Sequence, residues 1–596
     1  MPIIERYELK KYLPLNTSDV EEKQQKQVFD DEESHSNIND TQTSRWRTKE
    51  FYFYYMCMAV VIPYMFYTGN EISQANHPNY NQYNHLLSDG WIFERKIDNS
   101  DLQYASFRQQ FPLLSSFAIV YIILSRLFEH IVSEKTADVG QRKKRYFYLI
   151  SSVVSLIVLH GIHCIKIWLI VSISYCINSI TKQKRCWNPA LSWAFNIMVL
   201  FLNEYYNGYS FESIHKKLAI LDSNSYYSGL LPRWHVFFNF TMLRLISFNM
   251  DYFWSRKVSS DQQQQPHTHT TSFPTDKERI TTSCLPSDYN YSNYIMYIFY
   301  IPLYLCGPII TYNDFISQVF YIIPNSRQIQ GSKISSKYIL LYFIRFLFAL
   351  LLMEVMLHYL YVVAISKSDI LSASTSSAVT SIHYTPFEIS MIGYFNLVII
   401  WLKLLIMWRF FRLWALFDGI WTEENMIRCM SNNFSAQRFW KSWHRSFNRW
   451  IIRYIYVPLG GSKNLIWNSW IVFTFVAIWH DIELKLLAWG WLICLFLVPE
   501  IVGSKVFTYK KFGHTWYYRF VCGLCGALNV LLMMTANLVG FCLGLDGIKY
   551  MWLEIIGSLD GLIFLFLTIA CLYIAVQVMF EIRQSEKRRG DPKWTM

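Results

Sequence analysis

Two histidines set in apolar sequence, His444 and His480, are the residues of this chain best placed to do chemistry. His480 closes the uncharged run 464–479, beside Asp481 and three residues before Glu483. An imidazole at such a boundary is suited to proton transfer near neutral pH, with burial and the two carboxylates available to tune it. His444 lies in the densest polar and aromatic stretch, 439–461. Read as one helix, Lys441, Arg445, Arg449 and Arg453 fall at four-residue steps and form a cationic ridge. Trp440, Trp443, Phe447 and Trp450 flank it, and Asn448 lies one turn beyond His444. Arginines grip phosphate bidentately while rings contact an acyl chain or a nucleotide, so the ridge suits an anionic amphiphile. A basic interfacial helix on anionic headgroups explains the ridge equally well, but not the histidine. The PLGG stretch at 458–461 could offer backbone amides to a phosphate, or simply turn the chain.

Other polar groups lie within apolar runs, where an unpaired charge costs at least about 2.5 kcal/mol. Arg244 and Asp251 are two turns apart, Glu354 and His358 one turn apart, and Lys403, Arg409 and Arg412 crowd a third segment. Interhelical hydrogen bonding accounts for each; a proton relay through Arg244, Glu354, His358 and His480 would instead make the chain a polyol or glycerol transporter. A thiolate at Cys429, fifteen residues before His444, could hold haem or accept an acyl group, with simple packing as the plainer reading. Cys522 and Cys525 have CxxC spacing without neighbouring ligands, so packing is expected there, and no metal-binding motif stands out.

These residues need a scaffold, and composition says which kind. Only 16% of residues are charged, against about 25% in soluble domains. Apolar runs near the roughly 20 residues of a bilayer-spanning helix recur along the chain. About ten to thirteen membrane segments are expected, some of them re-entrant or interfacial: 51–68, 111–132, 147–163, 165–180, 189–203, 235–253, 291–312, 338–364, 389–416, 465–480, 486–502, 520–544 and 560–581. The fold class is an all-α polytopic membrane protein in three parts. A polar disordered tail occupies 1–46, the transmembrane domain 47–582 with a flexible loop at 255–288, and a short basic tail 583–596. The first apolar run acts as an uncleaved signal anchor. Basic clusters at 45–49, 142–145, 182–185 and 583–589 fit one cytosolic face, which makes 147–180 a hairpin, 69–110 luminal, and the sequons at Asn16 and Asn39 unglycosylated. The net charge of +12 then serves topology and an anionic ligand, not nucleic acid. No internal repeat is evident, which counts against an inverted-repeat transporter.

The paired Trp443-His444 and Trp479-His480, with PLYLCGPIITYND at 302–314, WRFFRLWALFDG at 408–419 and FVAIWHDIELKLL at 475–487, resemble the membrane-bound O-acyltransferase superfamily. Within it the chain is similar to the fungal glycerol-uptake branch, related to Hedgehog acyltransferase. The resemblance covers about 46–590. It implies a multi-helix bundle around a tunnel, in which a fatty acyl group passes from acyl-CoA to a hydroxyl or amine. It implies that His480 is the general base and His444 the second polar position, orienting the thioester or donating to its oxyanion with Asn448. Lys441, Arg445, Arg449 and Arg453 would take the CoA phosphates, with Trp443 and Trp479 contacting substrate. The implied acceptor is a lyso-GPI lipid in the endoplasmic reticulum membrane, with both tails cytosolic. A protein acceptor is the alternative within the same chemistry. Acyl-CoA is a co-substrate and no cofactor is required.

Overall fold

The computed structural model describes residues 43–131, 137–180, 187–213, 215–223, 227–231, 233–261, 276–321, 328–329, 332–333, 335–368 and 384–590. The tail with its sequons, the basic cluster 182–185 and the centre of the 255–288 loop lie outside them. The described residues are mostly helical; among them strands are confined to two short antiparallel pairs, one of them β1 (Leu87–Asp89) with β2 (Lys96–Asp98). The helices that matter for the site are α1 (Lys49–Glu71), α2 (Leu102–Ile131), α3 (Ala137–His160), α4 (Cys164–Ile180), α5 (Trp187–Tyr205), α6 (Trp234–Asp261), α7 (Tyr291–Ile298), α8 (Ser336–Tyr359), α9 (Pro386–Phe417), α10 (Ala436–Ser442), α11 (Arg445–Ile451), α12 (Leu465–His480), α13 (Leu484–Val506), α14 (Tyr518–Phe541), α15 (Gly544–Ile556) and α16 (Leu559–Arg588).

Among the described residues eight stretches are long and apolar enough to cross a bilayer, fewer than the about ten to thirteen segments expected. They are α1, α2, α8, α9, α13, α14, α16 and a joined stretch over Lys144–Asn178. In that last stretch α3 and α4 meet at a 3₁₀ turn, Gly161–His163, and both reach the start of α7, Arg145 donating to Ser292 at 2.9 Å and Ser172 bonding Tyr291 at 2.8 Å, so the two helices form the expected hairpin. The remaining segments are shorter or more polar. α12 has 16 residues, about 24 Å at 1.5 Å per residue, short of a hydrocarbon core of about 30 Å.

The run 291–312 is not one helix. α7 stops at Ile298, a further turn covers Ile301–Tyr304, and a glycine with φ of 105°, Gly307, redirects the chain. Breaking a helix inside the protein frees backbone carbonyls, and Arg244 of α6 answers them by donating to Ile298 O (2.6 Å) and to Leu303 O. Tyrosines fill the same region, each burying its ring and sending its hydroxyl to an acceptor. Tyr294 reaches Val171 O, Tyr297 reaches Ile310 O, and Tyr300 reaches the Asp418 carboxylate at 2.6 Å. Much of the aromatic content therefore packs the core and does not line a tunnel.

α9 is the central post. A capping box of Thr385 and Glu388 with Pro386 in its first turn starts it, and Gly419, with φ of 90°, ends it. Its apolar window is 61% buried, against 17% for α1, α2 and α16, whose outer faces carry large exposed apolar side chains for lipid. Two expected boundaries move. α16 continues to Arg588, so the basic stretch from 583 belongs to a helix that packs back on the loop after α9, with Arg583 donating to Asn432 O at 2.6 Å. Residues 276–288 are folded as well: a short helix, Asp276–Thr281, buries Arg279 between Asp276 and Asp314, each at 2.7 Å.

Candidate active site

The expected continuous helix through His444 is broken. α10 ends at Ser442, His444 takes φ of 43° and ψ of 58°, and α11 starts at Arg445 before loosening into a π-helical turn at Ile452–Tyr456. The left-handed region is costly for a residue with a Cβ, so tertiary contacts must hold it. Arg445 N donates to Asn425 O at 3.0 Å, and the His444 ring lies on Trp408, 4.2 Å between centroids and 18° between planes. His444 Nδ1 meets Asn425 Oδ1 at 2.6 Å. That distance fits a short N–H···O bond and is too short for an amide N–H donating to a ring nitrogen, so Nδ1 bears the proton. Nε2, which makes no hydrogen bond among the described residues, carries the lone pair. Burial pushes this imidazole down to about 3, with His480 acting in the same direction. Neutral and protonated at Nδ1, His444 presents an acceptor, which corrects the expected oxyanion-donor role.

His480 is the last residue of α12, where Asp481 turns extended and ends the helix. Its ring keeps accessible surface and makes no hydrogen bond among the described residues. Trp479, Trp489 and Phe541 surround it edge-on at 5.0, 6.3 and 6.1 Å. Its place is set indirectly. Trp479 Nε1 donates to Asn239 O and Asn239 Nδ2 donates to Trp479 O, both at 2.9 Å, which ties the end of α12 to α6. The expected tuning by carboxylates is absent: Asp481 accepts from Ile482 N and Glu483 pairs with Lys485.

Both histidines open onto one cavity of about 1640 Å³. Small-molecule pockets are typically about 300–1,000 Å³, so there is room for a long chain as well as a head. Trp408, Trp443, Trp479, Asn448, Lys441, Arg445 and Arg449 line it, as do Arg438, Arg583 and Lys587. Arg453 does not. It faces away and closes a buried ion pair with Asp251 at 2.9 Å, with Tyr454 donating to the same carboxylate oxygen at 3.0 Å. The cationic ridge is thus split, because the break at His444 and the π turn destroy its register. Arg445 and Arg449 both pair with Glu423, at 3.3 Å for Arg445. Burial raises the Glu423 carboxyl while the two arginines lower it. Asn448 meets His444 only through the backbone, its N donating to His444 O at 3.0 Å, while its side-chain amide donates to Lys441 O at 3.1 Å. The PLGG stretch is a turn whose carbonyl at Gly461 is taken by Asn468 at 2.7 Å.

Of the other polar groups singled out in the sequence, Lys403 borders the cavity and the rest do not join this site. Glu354 is held by Arg108 (2.6 Å) and Trp91 (2.9 Å), and His358 Nε2 accepts from Trp91 N, so no relay runs from them to His480. Lys403 pairs with Asp101 at 2.7 Å. Cys429 is exposed and does not line the cavity, so a haem held there would lie outside the space the histidines share. Among the described residues no group of three His, Cys, Asp or Glu could hold a metal ion. Sequence reading missed Asn425, Glu423, Trp408 and Asn239 as site residues. The one available signal was the polar run at 421–425 directly after a long apolar helix.

A model of the membrane-bound O-acyltransferase family matches residues 223–545, which includes both histidines. The chain is 46% identical over 552 residues to the membrane-bound O-acyltransferase GUP1 of Candida tropicalis, covering 92% of this chain and 89% of that protein. It is 45% identical over 554 residues to GUP1 of Saccharomyces cerevisiae, covering 92% and 94%. A more distant similarity, 26% over 219 residues, covering 35% of this chain and 40% of the other, is to the mouse protein-cysteine N-palmitoyltransferase HHAT.

Proposed function

The chain belongs to the membrane-bound O-acyltransferase family, and from that premise we propose that it moves a long-chain acyl group from acyl-CoA to a lipid hydroxyl, with a lyso-GPI anchor as acceptor. The observation that carries this reading is a large cavity onto which both histidines and a set of cations open together. In the proposed reaction the acceptor oxygen attacks the thioester carbonyl, the new C–O bond forms and the C–S bond breaks. His480 takes the hydroxyl proton and returns it to the departing CoA thiolate. General-base assistance of this kind is worth about 10²–10⁴-fold. His444 Nε2, a hydrogen-bond acceptor facing the same cavity, receives a hydrogen bond from a donor on the polar head of the acceptor lipid other than the reacting hydroxyl and so helps to seat it. Lys441, Arg445 and Arg449 hold the donor's phosphates, with Glu423 yielding its place as counter-ion. The protein is a multi-pass membrane protein, and on this reading it resides in the endoplasmic reticulum with both tails in the cytosol.

Lipid analysis of GPI anchors from cells carrying the wild type or His480→Ala tests the reading. Lyso-anchor accumulating in the mutant alone is the expected result. Unchanged anchors refute the acceptor, and purified wild type that transfers no acyl group from acyl-CoA refutes the donor.

A further inference from the structure

His444 owes its conformation to one buried residue. Asn425, with none of its surface exposed, contacts His444 through its side chain and, by way of Arg445 N, clamps the backbone just after it. The segment that carries Asn425 is itself anchored: Thr422 O accepts from Arg412 Nε at 2.9 Å, and Glu424 Oε1 accepts from Tyr342 at 3.1 Å and from Asn425 N at 3.0 Å. Asn425 Nδ2 is left buried without an acceptor, so the amide is oriented for the histidine at the expense of its own donor. We infer that Asn425 is a positioning residue for acyl transfer, holding His444 in the tautomer that points the Nε2 lone pair into the cavity. It acts through His444 and does not line the cavity. The inference rests on the acyl-transfer reading above. It separates His444 from His480, whose ring nothing orients in this way.

The ionisable groups on the elements around His444 are His480 on α12, Arg445 and Arg449 on α11, Arg438 and Lys441 on α10, Glu423, Glu424 and Arg428 on the bracing segment, and Glu388, Lys403, Arg409 and Arg412 on α9. None of them is hydrogen-bonded to the ring. A carboxylate at position 425 would therefore be the first negative charge on Nδ1–H, and it would favour the imidazolium.

Acyl transfer from a long-chain acyl-CoA is measured with the full-length protein in liposomes. Asn425→Ala should lower kcat about tenfold or more and leave the donor KM within about twofold. Asn425→Asp, nearly isosteric, should move the acid side of the pH–rate profile upward by roughly 1–3 units and recover activity at high pH. Loss at every pH with an unmoved profile is what a merely structural residue would give, and it would overturn the inference. So would a wild-type kcat in both variants. If Asn425→Ala does not fold, the profile of Asn425→Asp decides alone. Wild type that transfers no acyl group would instead remove the acyl-transfer reading, and the inference with it.

Discussion

The two histidines share a cavity and are held by opposite means. His444 is tethered through its own ring, by Asn425 on one nitrogen and Trp408 on one face, at a strained backbone position. His480 sits in a relaxed helix end, has no hydrogen bond to its ring among the described residues, and is located by the Asn239–Trp479 pair next to it. The difference separates two requirements. A ring that must keep one tautomer is bonded directly. A ring that takes up and releases a proton is better left with both nitrogens open and only its position fixed.

The arginines make the same contrast in charge. Arg453 and Asp251 form a buried pair that joins α6 to the turn after α11, whereas Arg445 and Arg449 border the cavity and share one carboxylate. The first pair is architecture, and the second is the one that the proposed reaction would exchange for an anionic donor.

These contrasts can be broken. His480→Ala should reduce acyl transfer by about 10²–10⁴-fold while thermal unfolding stays near wild type, because among the described residues the ring has only edge-on aromatic contacts and no hydrogen bond to lose; a large drop in Tm would show that His480 is also structural. Arg453→Met, which strands the buried Asp251, should cost about 3–5 kcal/mol in unfolding experiments and leave the donor KM of the surviving protein unchanged. Arg449→Gln should do the reverse, raising the donor KM roughly tenfold, in line with the loss of a charged hydrogen bond, with little change in Tm. The smallest effect is expected for Asn239→Ala. It removes one hydrogen bond beside His480, from Asn239 Nδ2 to Trp479 O, while the main-chain carbonyl that accepts from Trp479 Nε1 remains, and it should lower kcat about fivefold, one bond being worth about 1 kcal/mol.

Hydropathy alone located most of the long helices to within a few residues; α12 matches the expected 465–480 at both ends. It failed where polar chemistry interrupts apolar sequence. The run 291–312 looks continuous by composition, yet Arg244 and the tyrosines stabilise its broken form. Periodicity failed at His444 for a related reason. Residues 439–453 have helical spacing, and only the contacts of Asn425 and Trp408, distant in sequence, make a left-handed residue affordable there. α15 was not foreseen because it is amphipathic and short, with 13 residues.

Residue types and their local order by themselves determined that this chain is a helical membrane protein and singled out His444 and His480 as the candidates for its chemistry. Those conclusions depend on transfer free energies and imidazole chemistry, which belong to each residue. Only the tertiary structure decided that the two rings meet one cavity, that Arg453 is withdrawn to Asp251, that Glu423 occupies the arginine pair, and that Asn425 orients His444. Each of those is a choice among several possible partners for a charge or a hydrogen bond, and that choice depends on which groups the fold brings within about 3 Å.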